Sequence, residues 1–451
     1  MTTTTLPPSR GSSTKISAAS LASHTRSDRN RAVDLYRVVA MVAVAIGHWL
    51  ALVAVTGPDG ELVTGNALEF VPSMAWVTWL LQVMPLFFVV GGFSSALSLD
   101  SHRARGGRPQ DWVAARMRRM LAPAVVLAGV WLAILVAGTL VGVGALVGAG
   151  AIAAAIPLWF LANYTIDTAL APYLLPRFRH HPARLAVSLL GAFALFEALR
   201  FAGVPVLPHV NWVIGWLLFQ VAGFAWCDGL LPAGRRLAAV GVALWGAAAA
   251  AVAFGPWPVA MVHHPGLENS PTHPPSLALL LFGAAFSTTA LVFAPTVTAW
   301  LARSPKAWTA VVAANSAAMS IYLWHMTAAV AATAVFHALG LVPSVTVGSA
   351  DWWLAKGPMI GLSMLILAPI VAVVAKVERR ALLAPRQPWP GGAASMMVVA
   401  AVISIAVKLW SGGGVVRVAI GTTVLLIVWF GWLRTPTQNE TGDRELVETT
   451  T

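Results

Sequence analysis

The chain has 451 residues, 58% of them hydrophobic and only 10% charged. A soluble domain averages roughly 25% charged residues because water must solvate its surface, so lipid is the main solvent here and a string of soluble domains is excluded. The net charge of +12 sits in short segments between apolar runs, which is how membrane proteins are oriented and argues against nucleic-acid binding.

Cys227 is the only cysteine, which excludes an intramolecular disulfide and a cysteine-based metal cluster. Residues 1–30 are rich in Ser and Thr, contain Pro7 and Pro8 and hold no apolar run. They read as a disordered cytoplasmic tail, since nothing in them buries enough surface to offset ordering entropy. No short apolar segment precedes a cleavage site, so the sequence predicts no removable signal peptide. The first apolar run, near 36–57, reaches the ~20 residues needed to cross a bilayer core.

Later runs fall near 76–99, 119–141, 157–176, 184–202, 210–228, 236–256, 276–300, 308–338, 353–375, 394–411 and 415–434. The fold class expected is therefore all-α, a polytopic transmembrane bundle of about twelve spans by the length criterion. The Gly- and Ala-rich stretch 141–156 is left open between a partly embedded helix and a loop. Residues 31–385 form the expected main domain, and 386–434 an additional hairpin whose turn is crowded by Lys408, Gly412, Gly413, Gly414 and Arg417. Residues 435–451 read as a second disordered tail.

Orientation follows from the basic loops. Arg26, Arg29 and Arg31 flank the first span on one side. The same side receives the loop from Arg103 to Arg119, then Arg177, Arg179 and Arg184, Arg235 and Arg236, Arg303 and Lys306, and Lys376 to Arg386. The intervening loops, such as 257–275, are nearly free of Lys and Arg. Both termini are expected in the cytoplasm. No internal repeat is evident, and secondary transporters often carry one.

An ionisable side chain at a helix centre costs roughly 2.5–3.5 kcal/mol on insertion scales, so each needs a local reason. The candidates are Arg37, His48, Asp167, Glu197 and His325, with Asp34 at the start of the first span. Arg37 and His48 are eleven residues apart, close to three helical turns, and so share one face with His48 ~16 Å deeper. Asp34, three residues earlier, shares that face and can pair with Arg37. For Asp34 the alternative is a plain helix-end charge, and for His48 a packed interhelical hydrogen bond.

Tyr322 and His325 are one turn apart in Ser320–His325 and can face one cavity. Two histidines on separate spans suit proton transfer near neutral pH, while an interhelical hydrogen bond is the plainer use of His325. Asn163 and Asp167, one turn apart, can jointly bind a polar group or pair helices. Glu197 and Arg200 most simply neutralise one another. The neighbouring pairs His180–His181 and His263–His264 lie in loops without further ligands, so no metal is expected. Arg116, Arg118 and Arg119 abut the membrane, where they can bind donor phosphates or simply orient the chain.

These residues resemble the bacterial acyltransferase 3 family of membrane-bound acyltransferases. The family opens on Asp-x-x-Arg followed, ten intervening residues later, by His, which is Asp34, Arg37 and His48 in DLYRVVAMVAVAIGHW. PLFFVVGGFSSAL is similar to a second landmark through Pro85, Phe87, Phe88, Gly92, Phe93 and Ser94, and a basic loop and Pro123 follow. LWFLANYTIDTALAPYLL and SAAMSIYLWHM resemble two more. The likeness covers residues 30–380 with ten spans, departing at Gly91, where Ser is frequent, and in the added pair at 394–434.

The resemblance implies an acyl-CoA donor, possible as acetyl-CoA, that is consumed as substrate with no permanently bound cofactor. It implies transfer to a hydroxyl of a carbohydrate, lipid or secondary metabolite, in a bacterial inner membrane. On that reading His48 is the general base and Arg37, with Arg116, Arg118 and Arg119, holds donor phosphate. His325 and Tyr322 position the acceptor or the oxyanion, and Asp34, Asn163, Asp167 and Trp324 line the substrate. Direct transfer and an acyl-histidine relay both remain open. The rival class is a proton-coupled transporter with the histidines as relay.

Overall fold

A computed structural model describes residues 29–383 throughout, together with 22, 23, 25, 399, 402, 403 and 415–428. Ten of its helical segments are long and apolar enough to cross a membrane. Helices dominate for a physical reason: in hydrocarbon every backbone N–H and C=O must be satisfied within the segment.

The spans run in chain order as α1 (Arg31–Ala51), α2 (Met84–Ala104) and α3 (Pro109–Leu140), then α4 (Gly144–Ala155) leading into α5 (Leu158–His180). They continue as α6 (Pro182–Phe201), α7 (Asn211–Cys227), α8 (Gly234–Phe254) and α9 (Leu277–Arg303). Short α10 (Pro305–Ser316) precedes α11 (Ala318–Ala338) and α12 (Ala350–Leu383), and α13 (Val415–Val428) lies against α3. The chain is an all-α polytopic bundle. Most of the expected 394–411 helix and both tails fall outside the described residues.

Three runs that read as single spans are interrupted. The first helix stops at Ala51, and Leu52–Thr56 (β1) pairs antiparallel with Leu62–Asn66 (β2). Alternating Val53 and Val55 before Gly57-Pro58-Asp59-Gly60 favour a hairpin over another helical turn. The second run breaks at Gln82 and Val83, after a 3-10 helix Pro72–Val77 and the turn Thr78–Leu81. Pro85, in the first turn of α2, cannot extend a helix backward through its missing N–H.

The stretch left open at 141–156 is helical, and α4 joins α5 at Ile156–Pro157. The run expected over 308–338 splits at Ala317 into α10 and α11. There Asn315 Nδ2 donates to Val311 O and Ser316 Oγ to Ala313 O, side-chain bonds that compete with a continuing backbone ladder.

Loops expected on one side do meet each other. Arg179 holds Asp100 and Asp228 at 2.8 Å, joining the ends of α2, α5 and α7, and Arg31 donates to Leu301 O. At the opposite end Thr56 N donates to Pro343 O, Trp79 Nε1 to Val259 O and Arg200 to Ser270 O. Glu197 and Arg200 lie 3.8 Å apart, and Glu197 Oε1 also accepts from Leu277 N at the start of α9.

Helices α2 and α7 cross closely because each presents glycine to the other. A Cβ at Gly92 would collide with the Gln220 carbonyl, and one at Gly223 with the Val89 carbonyl. That contact seats Phe88 against Trp216, with ring centroids 4.7 Å apart, in the main core.

Candidate active site

The last turn of α1 brings His48 to α11. His48 Nδ1 lies 2.9 Å from His325 Nε2, and the rings stack with 5.1 Å between centroids. His325 Nδ1 is 2.6 Å from the carbonyl of Tyr322. A carbonyl only accepts, so His325 carries its proton on Nδ1 and presents a lone pair at Nε2. With both rings neutral, His48 donates from Nδ1 and keeps its lone pair at Nε2. His325 is wholly buried and His48 half-buried, so the free lone pair belongs to the more accessible ring.

Trp49 braces the pair by donating from Nε1 to His325 O at 3.0 Å. Tyr322 contributes its carbonyl, not its hydroxyl. The hydroxyl donates to Pro157 O at 2.9 Å, at the α4–α5 junction, and so is engaged in tying helices together.

A second centre lies toward the start of α1. Arg37 Nη2 donates to Ser94 Oγ at 2.8 Å. Arg116 Nη2 donates to Ser94 O at 3.2 Å and to Ser98 Oγ at 2.5 Å, with its guanidinium 4.5 Å over the Trp112 ring. Tyr164, Arg119 and Arg37 act on Arg116 electrostatically. Gly91 makes room here, since a Cβ would sit 2.8 Å from the Tyr164 ring.

Asp34 pairs with Arg37, as their spacing predicts, but shares its carboxylate with Arg29. Its carboxylate takes two bonds from Arg29, at 2.8 and 2.9 Å, and stands 3.8 Å from Arg37. Its hydrogen bonds to the Asp34 carboxylate hold the Arg29 guanidinium protonated more firmly than usual. Arg37 and Arg116 converge on hydroxyls and a carbonyl, which is an arrangement suited to an anion.

A family model described as an acyltransferase domain matches residues 30–377. The chain belongs to the acyltransferase 3 family. No curated protein and no solved structure matches it. This membrane acyltransferase therefore carries its two centres, cationic and imidazole, on one face of α1 about 16 Å apart along the axis.

The other expected site residues fall elsewhere. Asn163 Nδ2 donates to Trp159 O within its own helix. Asp167 is 1% exposed, with neither carboxylate oxygen hydrogen-bonded among the described residues, and its backbone carbonyl accepts from Gln220 Nε2. Asn163 and Asp167 share no hydrogen bond with each other among the described residues. Trp324 is buried beside His325, its indole N–H without a partner among the described residues. Arg118 is half-buried and Arg119 exposed at the same end of α3 as Arg116.

Sequence reasoning missed Lys356, Trp49, Ser98 and the role of Tyr164. Lys356 could have been found, being a lysine inside an apolar run. Trp49 and Ser98 carry no such signal, because uncharged residues of these types are common in spans. Among the described residues no group of three or more His, Cys, Asp or Glu is placed to hold a metal.

Proposed function

We propose that this acyltransferase moves an acyl group from acyl-CoA to a hydroxyl of a carbohydrate, lipid or secondary metabolite, with His48 as general base. The observation that carries the reading is the run from His48 through His325 to the Tyr322 carbonyl. It supplies an oriented imidazole with a free Nε2. In the reaction the acceptor oxygen attacks the thioester carbonyl while His48 Nε2 takes its proton. The tetrahedral intermediate collapses, the C–S bond breaks, and the proton passes from His48 to the leaving thiolate.

Arg37 and Arg116 hold the anionic end of the donor, with Arg118 and Arg119 guiding it at the same end of α3. The separation between the arginines and His48 suits a donor whose phosphates and thioester lie at opposite ends of a long arm. Trp324, beside His325, is the donor of choice for the developing oxyanion. Asp34 orders Arg37 through their ion pair, and Tyr322 acts through its carbonyl. Asn163 and Asp167 stand at the substrate side of α5.

The arginine end faces the cytoplasm of a bacterial cell membrane, as the distribution of basic loops supports. Residues 31–385 form the catalytic domain. No further observation favours proton-coupled transport.

The test measures free thiol released from acetyl-CoA by membranes holding the wild type or His48→Ala at equal level, with a cell extract as acceptor source. Release by the wild type that vanishes in the variant is expected. Equal release from both would remove His48 from the mechanism.

A further inference from the structure

Lys356 is 4% exposed within a membrane span. Its recorded partners are the carbonyls of Trp49, at 3.3 Å, and Leu52, together with the face of Trp352 at 4.7 Å from the ring centroid. We propose that Lys356 is a positioning residue that fixes the last turn of α1 and so holds His48 in register with His325. The proposal rests on the reading of these two histidines as the proton-transfer pair.

The last backbone bond at the end of α1 runs from Leu52 N to His48 O. The carbonyls that follow have no partner within the helix and carry the negative end of its dipole. At this point the chain turns into β1, so no further helical turn stiffens it. The ammonium of Lys356 supplies donors to the orphaned carbonyls and a matching charge. Methionine would fill a similar space at lower insertion cost, so the position calls for a cation.

The restraint reaches His48 through Trp49. The Trp49 side chain is bonded to His325 O on α11, and its carbonyl to Lys356 on α12. His48, the preceding residue, is thereby held by two helices at once. A shift of about 1 Å would take the 2.9 Å contact between the histidines past the range of a hydrogen bond. The cavity lined by Trp49, Leu52, Thr333, Lys356 and Ser363 measures only about 10 Å³.

The experiment compares wild type with Lys356→Met in nanodiscs. The expected result is a fall of about tenfold in kcat for thiol release, with KM for acetyl-CoA within about twofold. Arg37 and Arg116, which lie elsewhere, keep their contacts. In a His325→Ala background, Lys356→Met should add less than about twofold, because the pair it aligns is already gone. The same tenfold loss in both backgrounds would overturn the proposal.

A second arm needs no activity. Cryo-electron microscopy of both proteins should place the His48 and His325 rings beyond about 3.5 Å in the variant, whereas an unchanged contact overturns the positioning role. If Lys356→Met does not fold, Lys356→Leu, which likewise removes every donor and the charge, replaces it in both arms. A wild type that releases no thiol defeats the reaction proposed for the chain, and the structural arm still decides Lys356.

Discussion

His48 and His325 share a single hydrogen bond, Nδ1 to Nε2 at 2.9 Å, across two helices that lie 277 residues apart in sequence. The Tyr322 carbonyl fixes its polarity, because it leaves His325 only one nitrogen with which to accept. A base oriented in this way differs from two histidines that merely pack. Its two rings should act as a unit.

Replacing His48 with Ala should lower thiol release by at least ~100-fold, the usual contribution of a positioned general base. His325→Ala should cost less, on the order of tenfold, because His48 keeps its lone pair and loses only its orientation. The double variant should be no worse than His48→Ala alone. Additive losses in single-turnover rates would show that the histidines work separately.

Arg37→Lys should raise KM for acetyl-CoA about tenfold, since a point charge cannot reproduce a planar fork shared with Ser94 Oγ. Arg116→Lys should act the same way through Ser94 and Ser98. The discriminating measurement is KM against kcat for each. A change confined to kcat would detach both arginines from donor binding.

Gly92→Val should destabilise the bundle by at least ~3 kcal/mol, the upper part of the range for overpacking a core. The obstacle is the main-chain carbonyl of Gln220, which no side-chain rotation relieves. Thermal unfolding in detergent, followed by loss of monodispersity, reads this directly. A variant as stable as wild type would mean that α2 and α7 have room to separate.

Asp167→Asn should leave thermal stability equal to or above that of the wild type. The carboxylate is buried without a hydrogen bond to either oxygen among the described residues, and the amide removes its charge at nearly constant volume. A clear loss of stability would reveal an ionic partner for Asp167.

The sequence determined the solvent of this protein and the number of family-like spans, because lipid demands long apolar helices that satisfy their own backbones. It also placed Arg37 and His48 on one face, since helical periodicity is local. It marked His325 as costly in a membrane and therefore in need of a reason. Where spans break was less legible: hydropathy records whether residues are apolar, while the interruptions at Ala51, Gln82 and Ala317 depend on turn residues, prolines and side-chain bonds. Tertiary structure alone decided that His48 meets His325, that Arg29 competes with Arg37 for Asp34, and that Lys356 caps α1. Each joins elements distant in the chain or competing for one partner, and a hydrogen bond is chosen by distances of a few tenths of an ångström that composition and periodicity do not carry.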